Sequence, residues 1–236
     1  MNIILFDEGQ RFFPAADERC RHIGSVLHMS VGDSFLAGEY KGWRGRATIT
    51  SADGEGIAFD FVPERFDGAL HPLTVILASV RPICMKRILR ELVSLGVGRL
   101  IVSGSDLGEK SYRGATLYTS GEYLEIMKSG AMQSGHTGLS DVVFTDDMAS
   151  AIREAGREGE HLVLDVVPGA QSLSRMDLAG RELTLAIGGE RGWSAGERAL
   201  FQKEGYTPAS LGGRILRTET AAVSAVSLAL AGQGLI

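Results

Sequence analysis

The stretch LGGRILRTETAAVSAVSLALAG, residues 211–232, joins a glycine turn to a helix that is rich in small side chains. Thr218 is predicted to cap this helix, and Glu219 falls in its first turn, where the helix dipole favours a negative charge. Because alanine and serine recur along the helix, another helix can approach it closely, and we predict that it is buried. That structural role does not explain Arg214 and Arg217, which flank the turn and are therefore candidates for function.

An earlier glycine turn lies in IGGERGWSAGERALF, residues 187–201. The preceding ELTLAI (182–187) is predicted to be a strand, and Ser194 with Glu197 has the spacing of a capping box at the start of a helix. The glycines of this turn are Gly188, Gly189 and Gly192. They are expected at the carboxyl end of a strand, where open α/β sheets bind ligands and glycine allows close approach. A tight strand-to-helix connection without a ligand is the alternative interpretation of this stretch alone.

Strand-like and helix-like stretches alternate in the C-terminal two thirds of the chain. LTVILASV (73–80) and RLIVSG (99–104) favour strands, and ICMKRILRELVSLG (83–96) has the apolar spacing of a helix. Further strands are predicted at residues 161–167, 182–187 and 207–211. This alternation predicts an α/β fold with a mostly parallel sheet.

The pattern before residue 70 is different. Short runs of β-type residues at 34–37, 46–50 and 57–62 are separated by turns that contain Gly and Asp. We therefore predict two domains, a small β-rich domain over residues 1–70 and an α/β domain over residues 71–236.

Composition limits what the protein can bind. The 236 residues carry a formal net charge of −5, and the first 70 hold 7 Lys or Arg against 11 Asp or Glu, so any RNA contact is expected to be local. The two cysteines form no CxxC pair and the histidines lack metal-site spacing, so no metal is predicted. No GK[ST] follows the glycine turn, which disfavours a P-loop. Without a basic leader or a run of about 18 apolar residues, we expect no membrane span and a cytoplasmic location.

The two glycine turns together resemble those of the SPOUT methyltransferases, and most closely those of the RsmE family. That family's pattern, roughly I-G-P-E-G-G-x-S-x-x-E followed by L-G-x-R-I-L-R-T-E-T-A, lies on residues 187–197 and 211–221. RHIGSVLHMSVGD (21–33) resembles the H-x-x-x-V-L-R-x-x-x-G-D of the family's PUA-like RNA-binding barrel. The resemblance spans nearly the whole chain and is most specific at the C-terminal motifs.

Several positions depart from the family pattern. In the glycine turn the family's proline is Gly189 and the fourth residue is Arg191. The glutamate of the family's A-T-E-L-G-V segment is Ser94, and the lysine three residues earlier is Glu91. His136 stands where the family has an arginine. These departures bear on the RNA target more than on the cofactor.

The resemblance implies an S-adenosylmethionine-dependent methyltransferase that acts on N3 of a uridine in 16S ribosomal RNA or the small ribosomal subunit. It implies a homodimer with an N-terminal PUA-like β-barrel and a C-terminal trefoil knot that holds the cofactor. The implied cofactor-binding positions are Leu164, Ile187, Gly188, Gly189, Gly192, Leu211, Gly212, Ile215, Leu216 and Arg217.

Arg217 and Glu190 are the candidate catalytic residues. Uridine N3 is a weak nucleophile until it is deprotonated, so a nearby cation such as Arg217 would stabilise the anionic base. The alternative for Arg217 is a salt bridge to Glu219 or Glu190. Glu190 could position the substrate or assist proton removal, and its alternative is a structural hydrogen bond to loop amides.

The candidate RNA-binding residues carry positive charge or an aromatic ring. They are Arg21, His22, Lys41, Trp43, Arg44, Arg46 and Arg214. KGWRGR (41–46) interleaves cations with a tryptophan, which suits base stacking and phosphate contact, although a basic hairpin tip has the same composition. For His22 the alternative is an ordinary surface histidine, which the residue pattern alone favours.

Two other functions stay open at this point. One is a non-catalytic RNA-binding module that retains the knotted fold, and the other is methylation of a different RNA site. Cofactor binding without a methylated product would favour the first, and a product elsewhere would favour the second.

Overall fold

The structure is a computed structural model that describes residues 2–236, and its chain forms two compact units. The first unit contains residues up to 69 together with residues 131–139. The second unit contains residues 70–130 and 140–236. The chain therefore enters the first unit twice, because a segment after residue 130 returns to it.

The first unit is built on a five-stranded sheet. Its strands are β1 (Ile4–Phe6), β2 (Phe12–Pro14), β3 (Ser34–Glu39), β4 (Trp43–Ala52) and β5 (Gly56–Phe66). They lie in the order β1-β3-β4-β5-β2, with β1 parallel to β3 and the other neighbours antiparallel. No ladder joins β1 to β2 in the part of the chain that the structure describes, so the sheet is curled into a half-barrel, where the sequence analysis predicted a PUA-like β-barrel.

Phenylalanines fill the core of this unit. Phe6, Phe13 and Phe59 are fully buried, and the rings of Phe13 and Phe59 stack with centroids 4.7 Å apart. A short helix, α1 (Glu18–Arg21), and a π-helical turn (His22–Val26) follow β2. The returning segment is fastened by Thr137, whose carbonyl accepts the Lys41 amide at 2.8 Å.

The second unit is built on a seven-stranded parallel sheet. Its strands are β6 (His71–Ala78), β7 (Val97–Ser103), β8 (Asp141–Thr145), β9 (Glu160–Leu164), β10 (Gln171–Ser172), β11 (Leu183–Ile187) and β12 (Thr207–Ser210). They lie in the order β10-β12-β9-β11-β6-β7-β8, and every neighbouring pair is parallel. The predicted α/β fold with a parallel sheet is thus confirmed.

Helices connect these strands. They are α2 (Pro82–Ser94), α3 (Thr116–Thr119), α4 (Glu122–Ser134), α5 (Met148–Ala155), α6 (Ala195–Lys203) and α7 (Thr218–Gln233). One core cluster combines side chains of α5 and α6 with those of the strands, including Trp193 and Phe201, whose rings meet edge to face at 4.8 Å. Helix α7 packs against α2 and β11, so the predicted burial of the C-terminal helix is confirmed. Within residues 2–236 no helix has the length and apolar character that crossing a membrane requires.

Two sequence predictions need correction at their boundaries. The strand predicted at 161–167 ends at Leu164, because pairing with β12 stops at Ala209 and the chain then turns. Helix α7 is capped by Arg217 rather than Thr218: Arg217 has the extended backbone of an N-cap, and Thr218 is the first helical residue and is buried.

Candidate functional site

The two glycine turns line one pocket at the carboxyl edge of the parallel sheet, where β9, β11 and β12 end. The pocket is open to solvent, and about 690 Å³ of empty space lies within it and its mouth. Nine of the ten predicted cofactor-binding residues line it, namely Leu164, Ile187, Gly188, Gly189, Gly192, Leu211, Gly212, Ile215 and Leu216. Arg217, the tenth, follows a lining residue in the chain but does not line the pocket itself.

The sequence analysis missed other residues that line the same pocket. They are Asp165, Val166, Ala209, Thr218 and Ala221. Asp165 and Val166 follow β9, Ala209 is the last residue but one of β12, and Thr218 and Ala221 lie in the first turn of α7. The rule that ligands bind at the carboxyl ends of parallel strands could have found the first three. Glu190 and Arg214, predicted as a catalytic and an RNA-binding residue, also line this pocket.

A tight backbone turn shapes the first loop. The Gly192 amide donates to the Gly189 carbonyl at 3.0 Å, and Gly192 has a φ of 66°, in the left-handed region that glycine adopts without strain. A Cβ on Gly188 would lie 3.3 Å from the Gly192 Cα and from the Trp193 ring. The backbone of this loop is therefore packed on one side and open on the other.

Glu190 is held by a neighbouring loop. Its Oε1 accepts the backbone amide of Arg81, the N-cap of α2, at 3.2 Å. This hydrogen bond corresponds to the structural alternative considered for Glu190, and it also brings the carboxylate to the pocket wall. Hydrogen bonding to Tyr112 raises the pKa of the fully exposed Arg81, and Glu190 contributes to that shift.

Two anchors fix the far end of the first loop. Trp193 is 2% exposed, and its Nε1–H donates to the Leu164 carbonyl at 2.9 Å, which ties the loop to the end of β9. Ser194 and Glu197 form the predicted capping box of α6. Glu197 is 4% exposed, and its second oxygen accepts the Asp106 amide at 3.0 Å. The carboxylate thus joins α6 to the loop that follows β7.

The second glycine loop is the exposed wall of the pocket. Ile215 is 90% exposed, an unusual state for a side chain of its size. Arg217 makes no ion pair within residues 2–236, so neither of the salt bridges considered for it, to Glu219 or Glu190, is formed. Its guanidinium is therefore available to a bound molecule.

Charged side chains of both signs line the pocket, namely Asp165, Glu190 and Arg214. Asp165 is held by Arg198, whose Nε donates to Asp165 Oδ2 at 2.6 Å, and this hydrogen bond raises the pKa of Arg198. Burial, together with the negative charges of Glu219 and Glu190, raises the pKa of the Cys84 thiol. The apolar walls, open backbone and acidic groups suit a ligand that has an aromatic ring, hydroxyl groups and positive charge.

The RNA-binding candidates of the first unit lie on two elements. Lys41, Trp43, Arg44 and Arg46 lie on or just before β4, whereas Arg21 and His22 belong to α1 and the π-helical turn. Burial lowers the pKa of His22, so its imidazole is neutral near pH 7 and is a poor phosphate ligand.

Asp67 organises a basic cluster that the sequence analysis missed. Its carboxylate lies 3.8 Å from the Arg44 guanidinium, 3.1 Å from that of Arg65 and 3.3 Å from His136 Nδ1. Trp43 is 47% exposed and meets the ring of the adjacent exposed Phe66 edge to face, with centroids 6.1 Å apart. The hairpin therefore presents cations and two aromatic rings together. Among residues 2–236 no group of three potential metal ligands is found.

Comparison with known proteins gives the family. The family model for the RNA methyltransferase domain matches residues 68–230. Ribosomal RNA small subunit methyltransferase E of Treponema pallidum is 34% identical over 242 residues, which cover 98% of this chain and 91% of that protein.

Solved structures share the fold over the whole chain. A probable rRNA-methyltransferase from Porphyromonas gingivalis matches with a TM-score of 0.85 at 22% identity, covering 99% of each chain. A ribosomal RNA small subunit methyltransferase E from Neisseria gonorrhoeae, bound to S-adenosyl methionine, matches with a TM-score of 0.79 at 22% identity, covering 98% of this chain and 97% of that one. The chain therefore belongs to the RNA methyltransferase domain family and, within it, to the RsmE family of ribosomal RNA small subunit methyltransferases.

Proposed function

We propose that this protein transfers a methyl group from S-adenosylmethionine to N3 of a uridine in 16S ribosomal RNA of the small subunit. The observation that carries the proposal is the convergence of both glycine turns on one pocket. Membership of the RsmE family supports the reaction class, and the relative from Neisseria gonorrhoeae is described as bound to this cofactor.

The residues of the pocket fit this cofactor. Leu164, Ile187 and Leu211 offer apolar walls for the adenine ring. The glycines leave backbone amides and carbonyls open to the adenine edge and the ribose, since a Cβ on Gly192 or Gly212 would meet no protein atom within 4 Å. Glu190 supplies a negative charge that complements a sulfonium. When bound, S-adenosylmethionine supplies the electrophilic methyl group.

The chain's own residues act on the nucleophile. Methylation at N3 forms an N–C bond as the sulfur–methyl bond breaks, and the N3 proton passes to solvent, with Glu190 placed to assist its removal. Arg217 has no ion-pair partner in the described chain, so its charge can stabilise the anionic uracil. Glu190 borders the pocket and can accept a hydrogen bond from the base while it remains bonded to the Arg81 amide.

The proposal also includes the domain organisation and the oligomeric state that the family resemblance implies. Residues 71–236 form the methyltransferase domain, in which the 211–217 loop is part of a trefoil knot, and residues 1–70 form a PUA-like RNA-binding domain. The protein acts as a homodimer in the cytoplasm, where its ribosomal substrate is found. The exposed Ile215 and Leu216 at the pocket mouth support the dimer, because a second subunit would remove these apolar side chains from water.

The departures in the glycine turn are compatible with activity. Arg191 does not line the pocket, and its guanidinium lies 3.9 Å from Glu109. Its added bulk and charge are therefore directed to a neighbouring loop. This geometry favours an active enzyme over the non-catalytic RNA-binding module.

The test is methyl transfer from labelled S-adenosylmethionine to small ribosomal subunits that lack the modification, with mass-spectrometric mapping of the product. We expect one 3-methyluridine. Arg217→Ala should lower turnover by at least about tenfold, equivalent to roughly 1.4 kcal/mol of transition-state stabilisation. Arg191→Ala is the matched control because it also removes an exposed arginine, from the other glycine turn, and it should keep wild-type turnover.

Two outcomes would support the alternative functions, and a third would test the role of Arg217. Cofactor binding without a product in any RNA pool would support the non-catalytic module. A methyl group at another nucleotide would redirect the substrate assignment. Wild-type turnover in Arg217→Ala would remove Arg217 from the mechanism.

A further inference from the structure

Two large aromatic rings lie exposed at the end of the β4–β5 ladder. Trp43 and Phe66 form its terminal cross-strand pair, and these residues are 47% and 58% exposed. Their rings meet edge to face, with centroids 6.1 Å apart. Aromatic side chains usually bury a large apolar area, and an exposed apolar patch marks a site of interaction. This pair is therefore a surface on which another flat ring can stack.

The next pair of the same ladder consists of two arginines, Arg44 and Arg65. Like charges directly opposite each other on neighbouring strands destabilise a sheet. Asp67 offsets part of this cost, because its carboxylate lies 3.8 Å from the Arg44 guanidinium and 3.1 Å from that of Arg65. Two arginines share this carboxylate, so the pair keeps a net positive charge, and Arg65 is exposed. The arrangement favours an anionic partner.

The aromatic pair and the arginine pair face opposite sides of the ladder, because successive side chains of a strand alternate. The ladder ends at Trp43 and Phe66, so a chain that passes around this end meets the rings on one side and the arginines on the other. His136 Nδ1 lies 3.3 Å from the Asp67 carboxylate and adds an imidazole beside the arginines. A partner that fits carries a flat ring and a negative charge on one short linker, as a nucleotide does.

We propose that this end of the ladder binds one unpaired nucleotide of the substrate RNA, with its base stacked on Trp43 and Phe66 and its phosphate at Arg65. The inference rests on the proposed function in taking RNA as the partner, and it adds the strand state that the first unit requires. Phe66 and Arg65 were not among the RNA-binding residues predicted from the sequence.

The nucleotide has to be unpaired because neighbouring base pairs cover both faces of a base inside a duplex. Recognition of unstacked bases by aromatic side chains is common among RNA-binding proteins. Stacking on an aromatic ring, combined with phosphate contact by a cation, is the usual means of holding a single strand. The exposed rings and the shared carboxylate thus predict a preference for single-stranded over double-stranded RNA.

The experiment is a fluorescence anisotropy titration of a fluorescein-labelled oligouridylate of about eight nucleotides with the full-length protein, without S-adenosylmethionine. Trp43→Leu and Phe66→Leu each remove one ring and keep an apolar side chain. Each should weaken binding by at least about fivefold, the lower end of what stacking of one base contributes. Val62→Ala is the matched control, since it trims an exposed apolar side chain of β5 about 13 Å along the strand, and it should bind as the wild type does.

Arg65→Gln tests the phosphate contact separately. Loss of one phosphate contact with a single strand should reduce the slope of log affinity against log salt concentration by about 0.7. Arg157→Gln removes an exposed arginine of the second unit and should leave this slope unchanged. An unchanged slope in Arg65→Gln would overturn the placement of the phosphate.

The proposal is overturned if the oligouridylate does not bind saturably, if the two leucine variants bind it as the wild type does, or if a blunt, G·C-rich RNA duplex of the same length binds equally well. Methyl transfer is measured on the same proteins. Oligouridylate binding with the expected variant pattern but without a methylated product would support this surface and count against the proposed function. Methyl transfer with unchanged binding in the two leucine variants would do the reverse.

Discussion

Gly192 gives the sharpest test of how the first loop is built. Its φ of 66° places it in the left-handed region, and a Cβ at this position would meet no atom within 4 Å. Gly192→Ala therefore adds backbone strain without a steric clash. A non-glycine residue in that region costs about 1–2 kcal/mol.

Gly213→Ala is the matched control for this substitution. Gly213 lies outside the left-handed region, and a Cβ there also meets nothing within 4 Å. Both substitutions restrict the unfolded chain equally, so that contribution cancels when the two variants are compared. Gly192→Ala should thus be less stable than Gly213→Ala by about 1–2 kcal/mol, or roughly 2–8 °C in melting temperature for a chain of this size.

The assay is urea unfolding followed by tryptophan fluorescence. Both variants are prepared in a Trp43→Phe background, so that the buried Trp193 alone reports on the second unit. Equal stability of the two variants, within about 0.5 kcal/mol, would refute the assignment of a left-handed turn that only glycine adopts without strain.

Three further predictions concern side chains that stabilise one unit from within, two in the second unit and one in the first. Glu197→Ala should lower the free energy of unfolding by about 2–4 kcal/mol in urea titrations, because a buried carboxylate that accepts two backbone amides is lost; a loss below about 1 kcal/mol would contradict this role. Trp193→Phe should cost about 1–3 kcal/mol, since the Leu164 carbonyl loses its donor; an unchanged unfolding midpoint would count against that bond. The hydrogen bond from Arg19 lowers the pKa of Asp17, so its contribution is present above about pH 4 and is lost as the pH falls through the lowered value; Asp17→Asn should be less stable than the wild type near pH 6, and the difference should shrink as the pH falls below about 4. A difference that does not depend on pH would exclude the ionised pair as its cause.

The sequence predicted the parts of the fold that depend on local chemistry. Helix α2 follows from the apolar spacing between residues 83 and 96, and the capping box follows from Ser194 and Glu197 alone. Both glycine turns follow strands as predicted, the first after the apolar strand β11 and the second after β12. A pocket at that edge then follows from the geometry of parallel sheets.

Features that depend on distant parts of the chain could not be predicted in this way. The 131–139 segment joins the first unit through backbone hydrogen bonds, such as the one that the Asn2 amide donates to the Met132 carbonyl. No local sequence pattern indicates such a bond. The order β1-β3-β4-β5-β2 makes β1 and β2 the two edges of the sheet, and this order could not be read from the composition of the strands. Thr218 has good cap chemistry, but its burial at the start of α7 moves the cap to Arg217.

The departures from the family pattern can be weighed by where the side chains lie. The turn is closed by a backbone hydrogen bond from the Gly192 amide to the Gly189 carbonyl, and this bond does not depend on the side chain at position 189. Arg191 extends toward Glu109 outside the pocket, so the turn gains a charge that is balanced nearby. Glu190, in contrast, is fixed by the Arg81 amide and borders the pocket, and it matches the family's glutamate. Of the two changed residues of this turn, Gly189 stays in the pocket lining with its backbone turn intact, and Arg191 lies outside the lining, so the change of charge falls outside the pocket.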